Sequence, residues 1–465
     1  MGRNSQQRRA DKKRRAARLH ASGGTPSQPR VVPTEPTPGP GWLSEAAIEG
    51  MVVAAARTAC GPGENKVAFD RTVVALAAIE VDPSTPARPS AVIATMLHRS
   101  VTSLYGRGWQ PADVAHAVKG RWTLRAHRLI IAIIANEARG TDAVHRAPQQ
   151  WLTQLEELGV FEPTRGIIVG GYDNAISGWA RAERLDPDET ITVGLQVLAQ
   201  LLTLPPQAVL IDPPSAWGAT NRGTVSKPSA SRGDIDAKVL TRIRALLAKA
   251  EGTTFEAEAE AFTAKAQEMM TRYSIDAAVL ASTATAAGAD TGIESRRVHI
   301  DAPYADEKAR FLAVIADVNA ARSIWSPQVG FATVMGFPVD LHLTDLLFTS
   351  LLVQATKASA EATSADRRFR TPSFRRAFLI AFAHRIGERL EATKQHASAD
   401  AAQQYGSALA PILVDREVAI EEAVSRAFPN ATTMNRRRLN ADGWYAGRAA
   451  ADRAQIGASD AIARQ

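Results

Sequence analysis

Along most of the chain large apolar residues return every three or four positions, and the period shortens to two only in stretches between residues 293 and 337. The longer period predicts helices over 45–58, 67–80, 87–105, 112–118, 124–139, 151–161 and 190–204, rich in Ala, Leu and Ile and separated by Gly or Pro. It returns over 306–319, 340–361, 374–396, 411–428 and 440–456. Alternation at Arg296, Val298 and Ile300 predicts a strand over 293–300, and 322–325 with 329–337 reads as two strands turning at Ser326-Pro327. The predicted fold class is mainly α, with a small α+β region near the C-terminus.

The clearest stretch is 234–276. Ile235, Val239, Leu240, Ile243, Leu246, Leu247 and Ala250 line one face of a first helix, while Asp236, Lys238, Arg242, Arg244 and Lys249 fill the other. Gly252 suits the left-handed residue that closes a helix, and Thr253 with Glu256 forms a capping box that opens the next. Phe262, Ala266, Met269, Met270 and Tyr273 supply the second apolar stripe. Two such stripes across a short turn pack antiparallel. A hairpin this small does not offset its own ordering entropy of about 1–2 kcal/mol per residue, so it is expected to dock on the rest of the chain. The run IRALLAKA, the acidic EAEAEAF and the following KAQEMM with Arg272 and Tyr273 resemble the bacterial and phage domain-of-unknown-function family number 2786. The resemblance implies a helical hairpin followed by an uncharacterised domain, and it brings no activity, cofactor or site residue. The segment GWQPAD at 108–113 is similar to stretches that precede the hairpin in members of that family.

Composition divides the chain further. Residues 1–41 read as a basic arm and a Pro/Gly/Ser-rich linker, 42–212 as an all-helical domain, 213–233 as a second linker, 234–280 as the hairpin and 293–458 as the α+β domain. The net charge of +7 belongs to the arm, because residues 1–20 hold eight bases and one acid and the rest of the chain is neutral overall. Abundant Ala and Arg point to a GC-rich bacterial source. The lone Cys60 leaves neither a disulfide framework nor a cysteine metal cluster, and the longest apolar run, 129–135, is too short to span a bilayer. A cytoplasmic protein without membrane contact is expected.

Several residue groups carry possible chemistry. In the arm, Arg8, Arg9, Lys12, Lys13, Arg14 and Arg15 attract phosphates. In the C-terminal part Arg367, Arg368, Arg370, Arg375 and Arg376, with Phe369 and Phe374, combine guanidinium groups with rings able to stack on bases, in a loop that opens a helix; the other reading puts Phe374 and Phe378 in the core and pairs the arginines with Asp366, Glu361 or other acids. Arg436, Arg437 and Arg438 precede another helix and fit the same surface. Arg121, Arg125, His127 and Arg128 flank a turn that resembles a helix-turn-helix, but Leu129, Ile130, Ile131, Ile133 and Ile134 make the second helix apolar nearly all round, as in a core helix. His342, Asp345, His384 and Glu388 have the i,i+3 and i,i+4 spacing of ligands sharing a helix face, without an HExxH motif. No cofactor motif is present: 166–171 lacks both the Lys-Ser/Thr pair and the GxGxxG spacing of a nucleotide loop.

These features favour a non-enzymatic protein that associates with the phosphate backbone of nucleic acid. A metal-dependent phosphodiester hydrolase using His384, Glu388 and His342 is the alternative. A third is a scaffold that takes a protein partner on the hairpin.

Overall fold

The computed structural model describes residues 43–59, 64–85, 87–161, 173–218, 230–252, 256–284, 292–431 and 441–453. The arm, Cys60, Thr253 and Arg436–Arg438 lie outside these residues, as do 162–172, which include most of the glycine-rich stretch. The described part is mainly α, as predicted.

The first layer is helical: α1 (Glu45–Thr58), α2 (Glu64–Val81), α3 (Pro89–Gly106), α4 (Pro111–Arg121), α5 (Leu124–Gly140), the single turn α6 (Ala143–Arg146), α7 (Gln149–Glu157), α8 (Asp173–Glu183) and α9 (Pro187–Thr203). Local chemistry sets its boundaries. The side chains of Ser44, Thr123 and Asp186 cap α1, α5 and α9 by accepting the N–H three residues on. Pro opens α3, α4 and α9, where its missing N–H costs nothing. In α5, Leu129, Ile130, Ile131, Ile133 and Ile134 are all buried, so this is a core helix. Two of its exposed arginines pair with acids: Arg128 binds Glu183 and Arg125 binds Glu189.

The helical hairpin comprises α10 (Ala230–Gly252) and α11 (Glu256–Ala284), each longer than predicted, with α10 starting inside the expected linker. Then come β1 (Glu294–His299), α12 (Ala305–Val318), β2 (Arg322–Ser326), β3 (Phe331–Gly336), α13 (Pro338–Ala365), α14 (Pro372–Tyr405), α15 (Leu409–Ala427) and α16 (Ala441–Arg453). The strands form one antiparallel sheet in the order β1-β3-β2, with Arg297 opposite Thr333 and Ile324 opposite Thr333 on the other side.

The hairpin docks as its small size requires. Ile243 and Leu247 of α10 and Ala266 and Met270 of α11 close on Leu343 of α13, and further along α11 Ile275 meets Ala401 and Leu409. Polar contacts pin the far end: Asp276 accepts from the Tyr405 hydroxyl at 2.7 Å, and Ser274 and Arg416 (2.6 Å) both bind the buried Asp340 carboxylate. Burial raises the Asp340 pKa, and Arg416 opposes that rise.

Strand periodicity lets the sheet serve two cores. Side chains alternate between its faces, so Phe331 joins the core of the helical layer while Ala332 and Val334 join the core built by α12, α13 and α14. The same alternation sends Arg297 and His299 of β1 toward α4 and Arg296 toward α13.

Candidate functional site

The arginine-rich segment lies at one end of two parallel helices. α16 packs on α14 with Gly443 against Phe374 and Gly447 against Phe378, and farther along Arg385 binds Asp452, so residue numbers rise together on both helices. The two N-termini therefore lie side by side. The pairing depends on the missing side chains: a Cβ on Gly443 or Gly447 would fall inside the van der Waals envelope of the carbonyl oxygen of Phe374 or Phe378. Here the sequence GWYAG reads out as close helix approach, with Trp444 set 5.8 Å from His384 by ring centroid.

At that shared end Asp366 caps a 3-10 turn, Arg367–Phe369, and Thr371 caps α14 by accepting from Phe374 N at 3.2 Å. The five arginines divide by partner. Arg368 forms a forked pair with Asp366 at 2.6 and 2.9 Å, which lowers the Asp366 pKa and raises that of Arg368, with Asp442 of α16 adding to the latter. Arg376 lies 3.8 Å from Glu307, and Arg370 donates to the Thr363 carbonyl at 3.2 Å. Arg367 and Arg375 hold no side-chain hydrogen bond or ion pair among the described residues. Of the two rings expected to stack on bases, Phe374 is buried, and the half-buried Phe369 lies flat on it, centroids 4.5 Å apart. Two apolar rings flanking a helix start gain more from each other and from the core than from water, which buries Phe374 and commits one face of Phe369 to it. Arg436 and Arg437 lie outside the described residues.

The residues of the hydrolase alternative are engaged separately. His384 pairs with Glu388 at 3.1 Å, and Glu388 also takes Arg385 (2.8 Å) and Arg448 (3.3 Å). His342 accepts from Arg244 at 3.0 Å, and burial, then Arg244 and Arg296, lower its pKa. Asp345 is held by Arg296. Among the described residues no group of three His, Cys, Asp or Glu side chains is placed to hold a metal ion.

A second polar cluster joins the helical layer to the sheet. Arg297, with 2% of its side chain exposed, binds Asp113, donates to the carbonyls of Gly108 at 2.8 Å and Ala208 at 2.9 Å, and lies 4.8 Å over the Phe331 ring. Asp113 also accepts from Gln110 N at 2.9 Å and pairs with His299 Nε2 at 2.8 Å. Burial disfavours the Asp113 carboxylate, but Arg297 and His299 outweigh it and the pKa falls below the ordinary value. The His116 ring lies 4.7 Å from that of His299, tilted by 30°, with Asp301 3.6 Å from its Nδ1, and Lys119 reaches Asp301 at 3.2 Å. Burial, then the neighbouring His299, lower the His116 pKa to about 4, so this imidazole is neutral at pH 7. Sequence reading missed His116 and Lys119. Their signal was present in two periodicities, Asp113-x-x-His116-x-x-Lys119 on a helix and Arg297-x-His299-x-Asp301 along and just past a strand.

Residues 238–277, within the α10–α11 hairpin, match the family described as a protein of unknown function, DUF2786. No curated protein and no solved structure matches the chain. No described helix is long and apolar enough to cross a membrane.

Proposed function

We propose that this is a nucleic-acid-associated protein of the bacterial cytoplasm that binds phosphate backbone without turnover, through the arginine end of α14 and α16 and the basic arm. One observation carries the reading: Arg367 and Arg375 stand without an acid partner where two parallel helices present their positive ends. An unpaired guanidinium is free to take a phosphate in bidentate fashion, and adjacent helix starts favour the same charge. With Phe374 buried and one face of Phe369 taken up by it, the end offers charge more than stacking surface, which favours backbone contact with little sequence readout.

Anisotropy of labelled duplex DNA, single-stranded DNA and RNA, titrated with the full chain and with Arg367→Glu/Arg375→Glu at about 50 and 200 mM salt, tests this. Binding that weakens with salt and falls at least tenfold in the double variant is expected. Binding equal in both chains would assign all affinity to other cations and overturn the proposed site.

A further inference from the structure

The hairpin has a second cationic surface whose orientation is fixed by the docking just described. Because Ile243 and Leu247 are buried against α11 and α13, the opposite side of α10 faces solvent, and the exposed positions there are Lys238, Thr241, Arg242, Ala245, Ala248 and Lys249. Lys238, Arg242 and Lys249 fall within about 40° of one another around the axis and rise by about 6 and about 10 Å between successive cations. They form one stripe. Arg244 lies off that stripe and binds His342 at 3.0 Å, while the exposed Lys249 holds its ammonium 5.4 Å over the Phe262 ring. Lys238 and Arg242 have no acid partner among the described residues.

We infer that this face of α10 is a polyanion contact, through which the DUF2786 hairpin itself touches the phosphate backbone of nucleic acid; the inference rests on the nucleic-acid reading above. The side chains between the cations decide the kind of partner. Thr241, Ala245 and Ala248 offer nothing larger than a threonine, so there is no apolar anchor of the sort that centres a protein–protein interface. A regular row of charges over small side chains lets a charged strand approach closely and pays no desolvation of buried acids. Salt-dependent backbone contact is the expected mode.

The test uses the full chain in four forms: unaltered, Lys238→Glu/Arg242→Glu, Arg367→Glu/Arg375→Glu, and all four reversals, each titrated into a labelled DNA duplex across a salt series. The stripe variant is expected to weaken binding at low salt about tenfold or more and to reduce the slope of log K against log salt by about 2. The milder Lys238→Gln/Arg242→Gln, which adds no repulsion, is expected to move both quantities in the same direction by less, with an unchanged melting curve confirming the fold. Affinity and slope unchanged in both stripe variants, with loss confined to the Arg367/Arg375 pair, overturn this inference and leave the earlier reading standing. No salt-sensitive binding by the unaltered chain overturns both.

Discussion

Arg297 and Arg367 are the same side chain put to opposite uses. Arg297 is enclosed, with an aspartate, two carbonyls and a phenyl ring around it. Arg367 stands in water with no partner among the described residues. A buried cation has to be matched by acceptors fixed in the fold, so its removal leaves an uncompensated charge behind. An exposed one contributes little to stability until something anionic arrives. The comparison separates charge that holds the molecule together from charge that is available to a partner.

The sharpest way to break the comparison is Arg297→Met, which keeps the volume but strands Asp113 in the core. A loss of about 3–5 kcal/mol is expected from denaturant unfolding. A loss near zero would mean that water reaches the Asp113 site. Next in size, Gly447→Ala pushes α16 off the Phe378 carbonyl and is expected to cost about 1–3 kcal/mol. The same substitution is expected to weaken nucleic-acid binding, since it disturbs the end that holds Arg367 and Arg375; unchanged affinity would show that the two helix starts act independently.

A pH series sharpens the buried side. His116 has its pKa lowered to about 4 in the fold, against 6.5 when unfolded, so the unfolded chain binds more protons between those values. The stabilisation from a neutral His116 is complete above about pH 6.5 and is lost as pH falls toward 4. His116→Gln is expected to flatten the fall in melting temperature over that window, and parallel curves for the two proteins would refute the assignment. The smallest stability effect is expected for Arg367→Glu/Arg375→Glu, within about 0.5 kcal/mol, because neither side chain has a partner to lose.

What could be read from the sequence follows the same division. Hairpin, strands and core helix were legible because their signals are local: α5 declares itself through Ile130, Ile131, Ile133 and Ile134, and β1 through alternation at Arg296, Val298 and Ile300. The arginine cluster was legible as composition. Its division into paired and unpaired members was not, since Arg376 meets Glu307 only through the packing of α12 on α14. Arg297 and Asp113 stand 184 residues apart, and no local period connects them. For Phe374 the sequence left two readings, stacking ring or core residue, and the choice between them came only with the packing of α16 and of the Phe378 ring against it.

Phe331 sets an order of events for a chain made from one end. The core of the helical layer includes this ring from β3, and the layer's own helices end at Thr203. A ribosome working at about 5–20 residues per second releases those helices roughly six to twenty-five seconds before the strand that completes them. During that interval the cavity meant for Phe331, and the carboxylate of Asp113, wait for residues not yet translated.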